Sequence, residues 1–287
     1  TPEPTTPDPT TNAPPIDVEP ALEANDEVEE YDEDALRSFC TNEELSMDDL
    51  VSNNNNEPFY VIELVQFQQP YGEFLYHTKY TEALEQIDGV ELINNVTRTS
   101  QFPSGKPVWD QAIMLKLDSL ESFLQFSAMV SNDRNNAILT ENSMVWFANL
   151  DSDLYNWHPE LLVVVDNNNT AAPLSFSMAL LHVLKFQNEN LVNAFDQETK
   201  PLKFENGIAT QAWWNVVGKC SSGATLDVDV DQLRLEFIPS WQQYARAIMD
   251  PTWLESSKLR EAGVDDEATF SAFVTIHDAE YNLYDNN

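Results

Sequence analysis

The sequence predicts an α+β protein built from two units with the same order of elements, strand–helix–strand–strand–helix–strand. Segments with alternating apolar residues and segments with helical spacing follow one another in this order twice. In addition, the stretch from Asp231 to Leu254 resembles a stretch about 120 residues earlier. Both contain an Asp-Gln pair, an apolar strand, a serine and an amphipathic helix. The repeat predicts two similar sheets, each with helices on one face.

The first unit is predicted to span residues 58–150. Asp88-Gly89 is a helix stop, and Ser119 is typical of a helix N-cap. The predicted strands are 59–67, 90–99, 108–117 and 143–150, and the predicted helices are 71–87 and 119–130. This order is the ferredoxin-like pattern.

The second unit is predicted to span residues 177–287 and to repeat that order. Residues 151–176 are expected to be a linker, with a short strand at 161–165 that crosses between the units. The predicted strands of the second unit are 177–186, 208–217, 226–238 and 269–277, and its helices are 189–204, 240–249 and 254–262. Two such sheets can cover each other, which predicts an intramolecular pseudo-dimeric α+β barrel.

Residues 1–57 are predicted to be an extended, Pro/Thr-rich and acidic N-terminal arm. They hold 17 of the 49 acidic residues and only one, Arg37, of the 14 basic ones. The net charge of −35 makes nucleic acid or an anionic membrane an unfavourable partner. It favours cations or a basic protein partner, although an acidic proteome or a salty habitat explains it equally well. The sequence has no apolar run long enough to span a membrane.

The first residues, Thr1-Pro-Glu-Pro-Thr, resemble a mature end left by removal of a targeting peptide. We therefore expect a secreted or otherwise extracytoplasmic protein. Cys40 and Cys220 are the two cysteines, and a disulfide between them suits an oxidising compartment, with two separate thiols as the alternative. Asn95-Val-Thr and Asn168-Asn-Thr match the glycosylation pattern, which an Asn-rich chain also produces by chance.

Several motifs of the second unit resemble the dimeric α+β barrel superfamily, nearest to its uncharacterised EthD-like, stress-responsive and monooxygenase-like small domains. They are the strand 231–238, Pro239-Ser240, Asp250-Pro251 and Leu259-Arg-Glu-Ala-Gly263. The first unit matches through Trp109-Asp110 and Ser119 to Phe126, but lacks the last two motifs. The resemblance implies a tandem duplication of a ferredoxin-like domain. It does not select an activity, because the superfamily includes oxygenases, isomerases, haem enzymes and proteins without known activity.

His182 is the candidate for acid–base chemistry. It lies in the first predicted strand of the second unit, where Glu63 is its counterpart in the first. If these strand faces line the space between the sheets, the pseudo-twofold axis brings His182 and Glu63 into one cavity, and a His–carboxylate pair can transfer protons. The alternative is a strand histidine that is hydrogen-bonded locally.

Four further residues are candidates for ligand binding. Trp213 and Trp214 are adjacent in a strand, so one indole lies on each face and one of them could line a pocket. Arg234 and Glu236 alternate with apolar residues and are expected on the face opposite the helices. An ion pair across the pseudo-dimer is the alternative to an anchor for a polar ligand.

Asp227, Asp229 and Asp231 resemble the start of a calcium loop. Gln232 stands where such a loop has its turn glycine, and no glutamate closes it. Carboxylates that simply face solvent are the alternative. We expect no cofactor.

The absence of nucleophile, phosphate-loop and dinucleotide signatures favours a protein without catalytic activity. The sequence thus favours an extracytoplasmic binding or self-assembly protein, whose arm would dock onto another copy. One alternative is a small-molecule enzyme of the monooxygenase or isomerase type, with an interdomain cavity of roughly 300 Å³ or more around His182. The other alternative is an acidic cation-binding protein.

Overall fold

Eight antiparallel strands close into a barrel in the structure, which is a computed structural model. The compact unit Tyr31–Asn287 contains all described elements. The structure describes residues 42–43, 58–68, 71–102, 107–134, 140–150, 163–165, 171–173, 178–222 and 229–277.

The described strands and helices follow the predicted order closely. The strands are β1 (Asn42–Glu43), β2 (Phe59–Phe67), β3 (Val90–Phe102), β4 (Gln111–Leu117), β5 (Thr140–Leu150), β6 (Val163–Val165), β7 (Ala171–Pro173), β8 (Met178–Leu184), β9 (Ala209–Ser222), β10 (Gln232–Phe237) and β11 (Phe270–His277). The helices are α1 (Tyr71–Gln86), α2 (Leu120–Arg134), α3 (Glu189–Glu205), α4 (Trp241–Ile248) and α5 (Pro251–Gly263).

The barrel order is β9-β10-β8-β11-β3-β4-β2-β5, and β5 pairs back onto β9. The first half contributes β5-β2-β4-β3 and the second half contributes β11-β8-β10-β9. Numbered within its own half, each sheet has the strand order 4-1-3-2. The halves join along two seams, β3 with β11 and β5 with β9. This closed antiparallel barrel confirms the α+β barrel prediction.

The barrel interior is a packed apolar core. Trp146 and Trp214 are completely buried in it. Its other members include Ile62, Leu64, Val96, Ala112, Met114, Leu181, Val183, Leu233, Leu235 and Ala272. The interior of an eight-stranded barrel can be filled by side chains alone, and here the space between the two sheets is such a core.

A second core lies outside the barrel in the first half, between the sheet and helices α1 and α2. Rings supply much of it: Tyr80 packs edge-on to Phe126, and Phe123 packs edge-on to Phe59 and Phe147. Such pairs add about 0.5–1.5 kcal/mol each to the burial of their area. The helix-facing side of the first half is therefore closed by aromatic packing.

An aspartate at the start of the third strand fixes each half in the same way. The backbone amide of Phe67 donates to Asp110 Oδ2 at 2.9 Å, and the amide of Phe186 donates to Asp231 Oδ2 at 2.6 Å. Both aspartates also link the neighbouring strands through their backbone groups. The repeated Asp-Gln pair in the sequence thus corresponds to the same hydrogen bond in both halves, which links the end of the first strand to the start of the third.

The helix ends repeat in the same manner. Gly89 (φ +80°) and Gly207 (φ +68°) occupy the left-handed conformation at the turn that follows α1 and α3. Ser119 accepts from the amide of Ser122, and Ser240 accepts from the amide of Gln243, so each serine caps its helix.

The segment between the halves differs from the prediction. Among the described residues, β6 pairs with β7 in a separate two-stranded sheet and with no strand of the barrel. In the arm, β1 pairs with β9, with Glu43 opposite Cys220. Cys40, Asn168 and Asp227 lie outside the described residues.

Candidate functional site

His182 lies on the outer face of β8, beneath helices α3 and α5, and not in the barrel interior. Its strand neighbours Leu181 and Val183 point into the barrel core, whereas Leu180 and Leu184 share its face and line the same pocket. The prediction that His182 lines a cavity between the two sheets is therefore wrong. Apolar side chains fill the interior, so the polar side chains of these strands face the helices.

Glu63 lies in the corresponding position of the other half and does not meet His182. It is fully buried beneath α1. Its carboxylate accepts hydrogen bonds from the hydroxyls of Tyr76, Tyr80 and Ser143. The predicted His182–Glu63 pair is consequently wrong: Glu63 contacts hydroxyls of the first half, and His182 contacts groups of the second half.

Arg234 anchors a buried ionic cluster in the second half. Its Nη1 donates to Asp196 Oδ2 of α3 at 2.6 Å, and its Nε donates to Gln232 Oε1 at 2.6 Å. Its guanidinium carbon lies 3.8 Å from the centroid of the Trp213 ring. The side chain faces the helices, which corrects the predicted orientation, and it is held on three sides.

Lys203 and Glu236 form the second pair of this cluster. Lys203 Nζ lies 2.6 Å from Glu236 Oε1 and 3.7 Å from Asp196 Oδ1. The other carboxylate oxygen of Glu236 lies 3.6 Å from His182 Nε2. Because Lys203, Glu236 and Asp196 are all less than 5% exposed, these contacts are largely shielded from solvent.

The protonation states follow from burial and from these neighbours. Burial is the main reason that the pKa of His182 lies below its ordinary value, although the Glu236 carboxylate opposes the shift. Burial alone would raise the pKa of Glu236, but the Lys203 ammonium and the nearby His182 ring hold it well below the usual range. At neutral pH the pair is a neutral imidazole beside an ionised carboxylate.

Ser271 and Arg260 extend the chain of contacts at the other ring nitrogen. Ser271 Oγ lies 2.7 Å from His182 Nδ1, and Arg260 Nη2 donates to Ser271 Oγ at 3.4 Å. With Nε2–H directed at Glu236, the serine hydroxyl donates to Nδ1. Arg260, Ser271 and His182 thus form a chain of hydrogen bonds, and the Glu236 carboxylate lies 3.6 Å beyond it, at ion-pair distance.

A pocket of about 120 Å³ opens over this cluster. Arg234, Glu236 and His182 supply its floor from the sheet, and Lys203 and Arg260 reach it from the helices. Its remaining lining residues are Phe102, Leu180, Leu184, Phe195, Asp196, Tyr244, Trp253, Ser257 and Glu261. The pocket is smaller than the 300 Å³ expected for an interdomain cavity, which limits it to small molecules.

Tyr244 of α4 contributes a neutral phenol to this pocket. Burial, and then the charge of Glu236, raises the pKa of Tyr244 to about 12. Burial also lowers the pKa of Arg260, and the nearby Arg234 acts in the same direction, but arginine remains charged at neutral pH. Tyr244 can thus donate a hydrogen bond, and Arg260 supplies a positive charge.

Trp213 and Trp214 lie on opposite faces of β9, as strand alternation predicts. Trp214 is part of the barrel core, and Trp213 supports the guanidinium of Arg234 on the helix-facing side. Neither indole is among the residues that line the pocket. The structure gives Trp213 a positioning role and Trp214 a packing role.

Sequence reasoning missed the contribution of the helices to the site. Asp196 and Lys203 lie on the same stripe of α3 as the buried Val192, Phe195 and Thr199. Charged residues seven positions apart on an apolar stripe are a signal of a buried ionic cluster. Arg260 lies in the Leu259–Gly263 motif, which indicates the fold but not a role in the site.

The calcium candidates are engaged by a lysine. Lys185 Nζ lies 2.7 Å from Asp229 Oδ2 and 3.0 Å from Asp231 Oδ1. Within the described ranges, no group of three His, Cys, Asp or Glu side chains could hold a metal ion. The calcium loop stays a prediction, because Asp227 is not described.

Asn95 of the glycosylation pattern is only 9% exposed and lies in β3 between β4 and β11. This burial argues against glycosylation there. Among the described residues, no helix is long and apolar enough to cross a membrane.

Comparisons with known proteins give the fold. No family model and no curated protein matches the chain. The solved structure of an anthrone oxidase-like protein matches with a TM-score of 0.51 and 9% identity, covering 78% of this chain and 92% of its own. The chain therefore has the dimeric α+β barrel fold, with both halves in one polypeptide.

Two further solved structures are more distant. A proposed monooxygenase from Lactobacillus acidophilus has a TM-score of 0.43 and 10% identity, covering 77% of this chain and 94% of its own. A mutant chlorite dismutase from Candidatus Nitrospira defluvii has a TM-score of 0.46 and 11% identity, covering 76% and 91%. At such identities a likeness concerns the fold alone.

Proposed function

We propose that the chain is a small-molecule enzyme that transfers a proton at the His182–Glu236 pair in the pocket beneath α3 and α5. The observation that carries this proposal is a neutral imidazole, 14% exposed, that lies between an ionised carboxylate and a hydroxyl at the floor of a pocket. The proposal replaces the non-catalytic interpretation that the sequence favoured, and moves the site from the barrel interior to the outer face.

The step uses His182 Nδ1 as the base. When the Ser271 hydroxyl turns its hydrogen away, the lone pair on Nδ1 is free to accept a proton from an acidic C–H or O–H group of the substrate. The electron pair of the broken bond stays on the substrate as an enolate or phenolate. Glu236 then stabilises the imidazolium at Nε2, and Arg260 offsets the new negative charge.

This step is common to two reaction types. An isomerase returns the proton to a different atom, and an oxygenase of enolate or phenolate ions adds dioxygen to the deprotonated substrate. The matching structures named as an anthrone oxidase-like protein and a proposed monooxygenase agree with the second type, but their low identity leaves both types in the proposal.

The test is exchange of substrate hydrogen with deuterated solvent, followed by proton NMR on small enolisable and phenolic acids, with oxygen uptake measured in parallel. His182→Gln should lower the exchange rate about 10²–10⁴-fold, the usual contribution of a general base. The matched control is His77→Gln, which removes a buried histidine from the half without this cluster. Equal exchange rates for the wild type and His182→Gln would contradict the proposal.

A second proposal concerns origin: the two halves derive from duplication of one βαββαβ unit. The shared strand order, the paired aspartates Asp110 and Asp231, and the glycine and serine pairs at the helix ends support it.

The arm-mediated self-assembly, the basic protein partner and the extracytoplasmic localisation stay predictions. Size measurement of the full chain against a chain lacking residues 1–57 tests the assembly.

A further inference from the structure

We infer that the pocket binds a small monocarboxylate, with Arg260 as its main ligand and the free Nη2 of Arg234 as a second donor. This inference rests on the proposed function and names the substrate class of the same site. It depends on three observations: the charge balance of the pocket, an unsatisfied guanidinium nitrogen, and the mixed polarity of the lining.

The charged side chains that lie around the pocket do not all pair with one another: among the described residues, one positive charge has no carboxylate partner. Arg234 is paired with Asp196 and Lys203 with Glu236, each at 2.6 Å. Arg260 has no carboxylate within ion-pair distance among the described residues, and it donates a hydrogen bond of 3.4 Å to Ser271. His182 is neutral at pH 7 because burial lowers its pKa.

The pocket lining contains one further acidic residue, whose negative charge opposes this positive charge. Glu261 also lines the pocket, but it is exposed, so solvent screens its charge. Among the described residues of the pocket, one cation, the partly exposed Arg260, therefore has no carboxylate partner. A carboxylate carries one negative charge and matches it, whereas a phosphate monoester brings about −1.5 to −2 at pH 7.

The second observation is an unsatisfied donor at Arg234. This residue is 3% exposed and lines the pocket, yet its Nη2 has no hydrogen-bond partner in the described part of the chain. A buried donor without a partner costs about 1–3 kcal/mol. The Asp196 contact and the Trp213 ring fix the guanidinium plane, so Nη2 is pre-organised to receive an acceptor oxygen.

The third observation is that the lining is polar in one part and apolar in another. Phe102, Leu180, Leu184 and Tyr244 line the pocket together with the charged cluster. Phe102 is 38% exposed and stacks near Phe273, so an aromatic surface lies beside the pocket. A carboxylate with a short apolar or aromatic body matches this combination and the volume of about 120 Å³.

Calorimetry with matched pairs of acid and amide tests the inference directly on the wild-type chain. Benzoate and butyrate are the probes, and benzamide and butyramide have nearly the same shape without the charge. We expect at least one acid to bind and its amide to bind at least about tenfold more weakly, because the hydrogen bonds to charged guanidinium groups are lost. Equal affinity for acid and amide, or no binding of either acid, overturns the inference.

Variants then assign the binding to Arg260. Arg260→Gln should weaken binding of the acid roughly 10- to 100-fold. The matched control is Lys258→Gln, which removes the same charge from an exposed position of the same helix and should leave the affinity within about twofold. Wild-type affinity in Arg260→Gln, or tighter binding of phenyl phosphate than of benzoate, overturns the assignment. The acid–amide comparison needs no variant, so poor folding of Arg260→Gln leaves the test intact.

The two proposals fail separately. Benzoate binding without hydrogen exchange on any tested acid would leave the carboxylate site and remove the enzymatic step. Exchange that survives in Arg260→Gln, together with equal binding of acid and amide, would leave the enzymatic step and remove the carboxylate site.

Discussion

Replacing Glu236 with glutamine should destabilise the fold more than any removal of a surface charge. Glu236 is 3% exposed and its Oε1 lies 2.6 Å from Lys203 Nζ. Glu236→Gln removes the nearest charge partner of the buried Lys203 ammonium; the contact of Lys203 with Asp196 is longer, at 3.7 Å, and Asp196 is already engaged by Arg234. Breaking a buried pair by removing one partner typically costs about 3–5 kcal/mol.

The measurement is the free energy of unfolding from urea titration, with the midpoint of thermal unfolding as a second readout. For a chain of this size the expected cost corresponds to a fall of roughly 6–20 °C. The control is Glu255→Gln, since the Glu255–Lys258 pair on α5 is also short at 2.8 Å, but its side chains are 78% and 67% exposed. Exposed pairs contribute about 0–1 kcal/mol.

A double replacement shows whether the loss of stability comes from an unpaired buried charge or from any substitution at this site. Lys203→Met with Glu236→Leu removes both charges and keeps apolar volume, so it should recover most of the lost stability. The argument is refuted if Glu236→Gln falls within about 1 kcal/mol of the Glu255→Gln control. It is also refuted if the double variant is less stable than Glu236→Gln alone, because buried charge is then not the cause.

Three further predictions concern pH, the backbone and the cysteines. The pKa of His182 in the folded chain lies below its ordinary value of 6.5, so the unfolded chain takes up a proton first as the pH falls. The free energy of unfolding should therefore decrease below pH 6.5, and it should decrease less in His182→Gln. Urea unfolding midpoints measured from pH 8 to pH 5 test this. Gly207→Ala should cost about 1–2 kcal/mol by urea titration, because φ is +68° and the new Cβ would lie 3.3 Å from Pro239 Cγ. Cys40 and Cys220 should resist alkylation until reduced, and reduction should lower the thermal midpoint; two thiols that react in the native, unreduced chain would contradict the disulfide.

Much of the barrel could be predicted because its signals are local. Strand alternation, the glycine stops at Gly89 and Gly207, and the serine caps each act within a few residues. The Asp-Gln echo carried more information than its length suggests, because Asp110 and Asp231 each tie strands together through a side-chain oxygen. These features reveal the order of elements without any knowledge of distant contacts.

The site could not be predicted to the same degree, because alternation tells which residues share a face but not where that face points. His182 was correctly grouped with Leu184, and Arg234 with Glu236, yet both groups were placed toward the wrong side. A usable signal was present in β8: its other face, with Ala179, Leu181 and Val183, is wholly apolar. A wholly apolar face suits a barrel interior that is filled by side chains.

The two halves share a scaffold but fill the space between sheet and helices in opposite ways. In the first half, Glu63 is satisfied by hydroxyls and enclosed by packed rings such as Tyr76 and Tyr80. In the second, His182 is joined to charged groups and a pocket remains open beside it. A buried ionic cluster is a poor way to gain stability compared with apolar packing of equal volume. Since the first half shows that the fold tolerates aromatic closure, the charges around His182 are better explained by a ligand than by the fold.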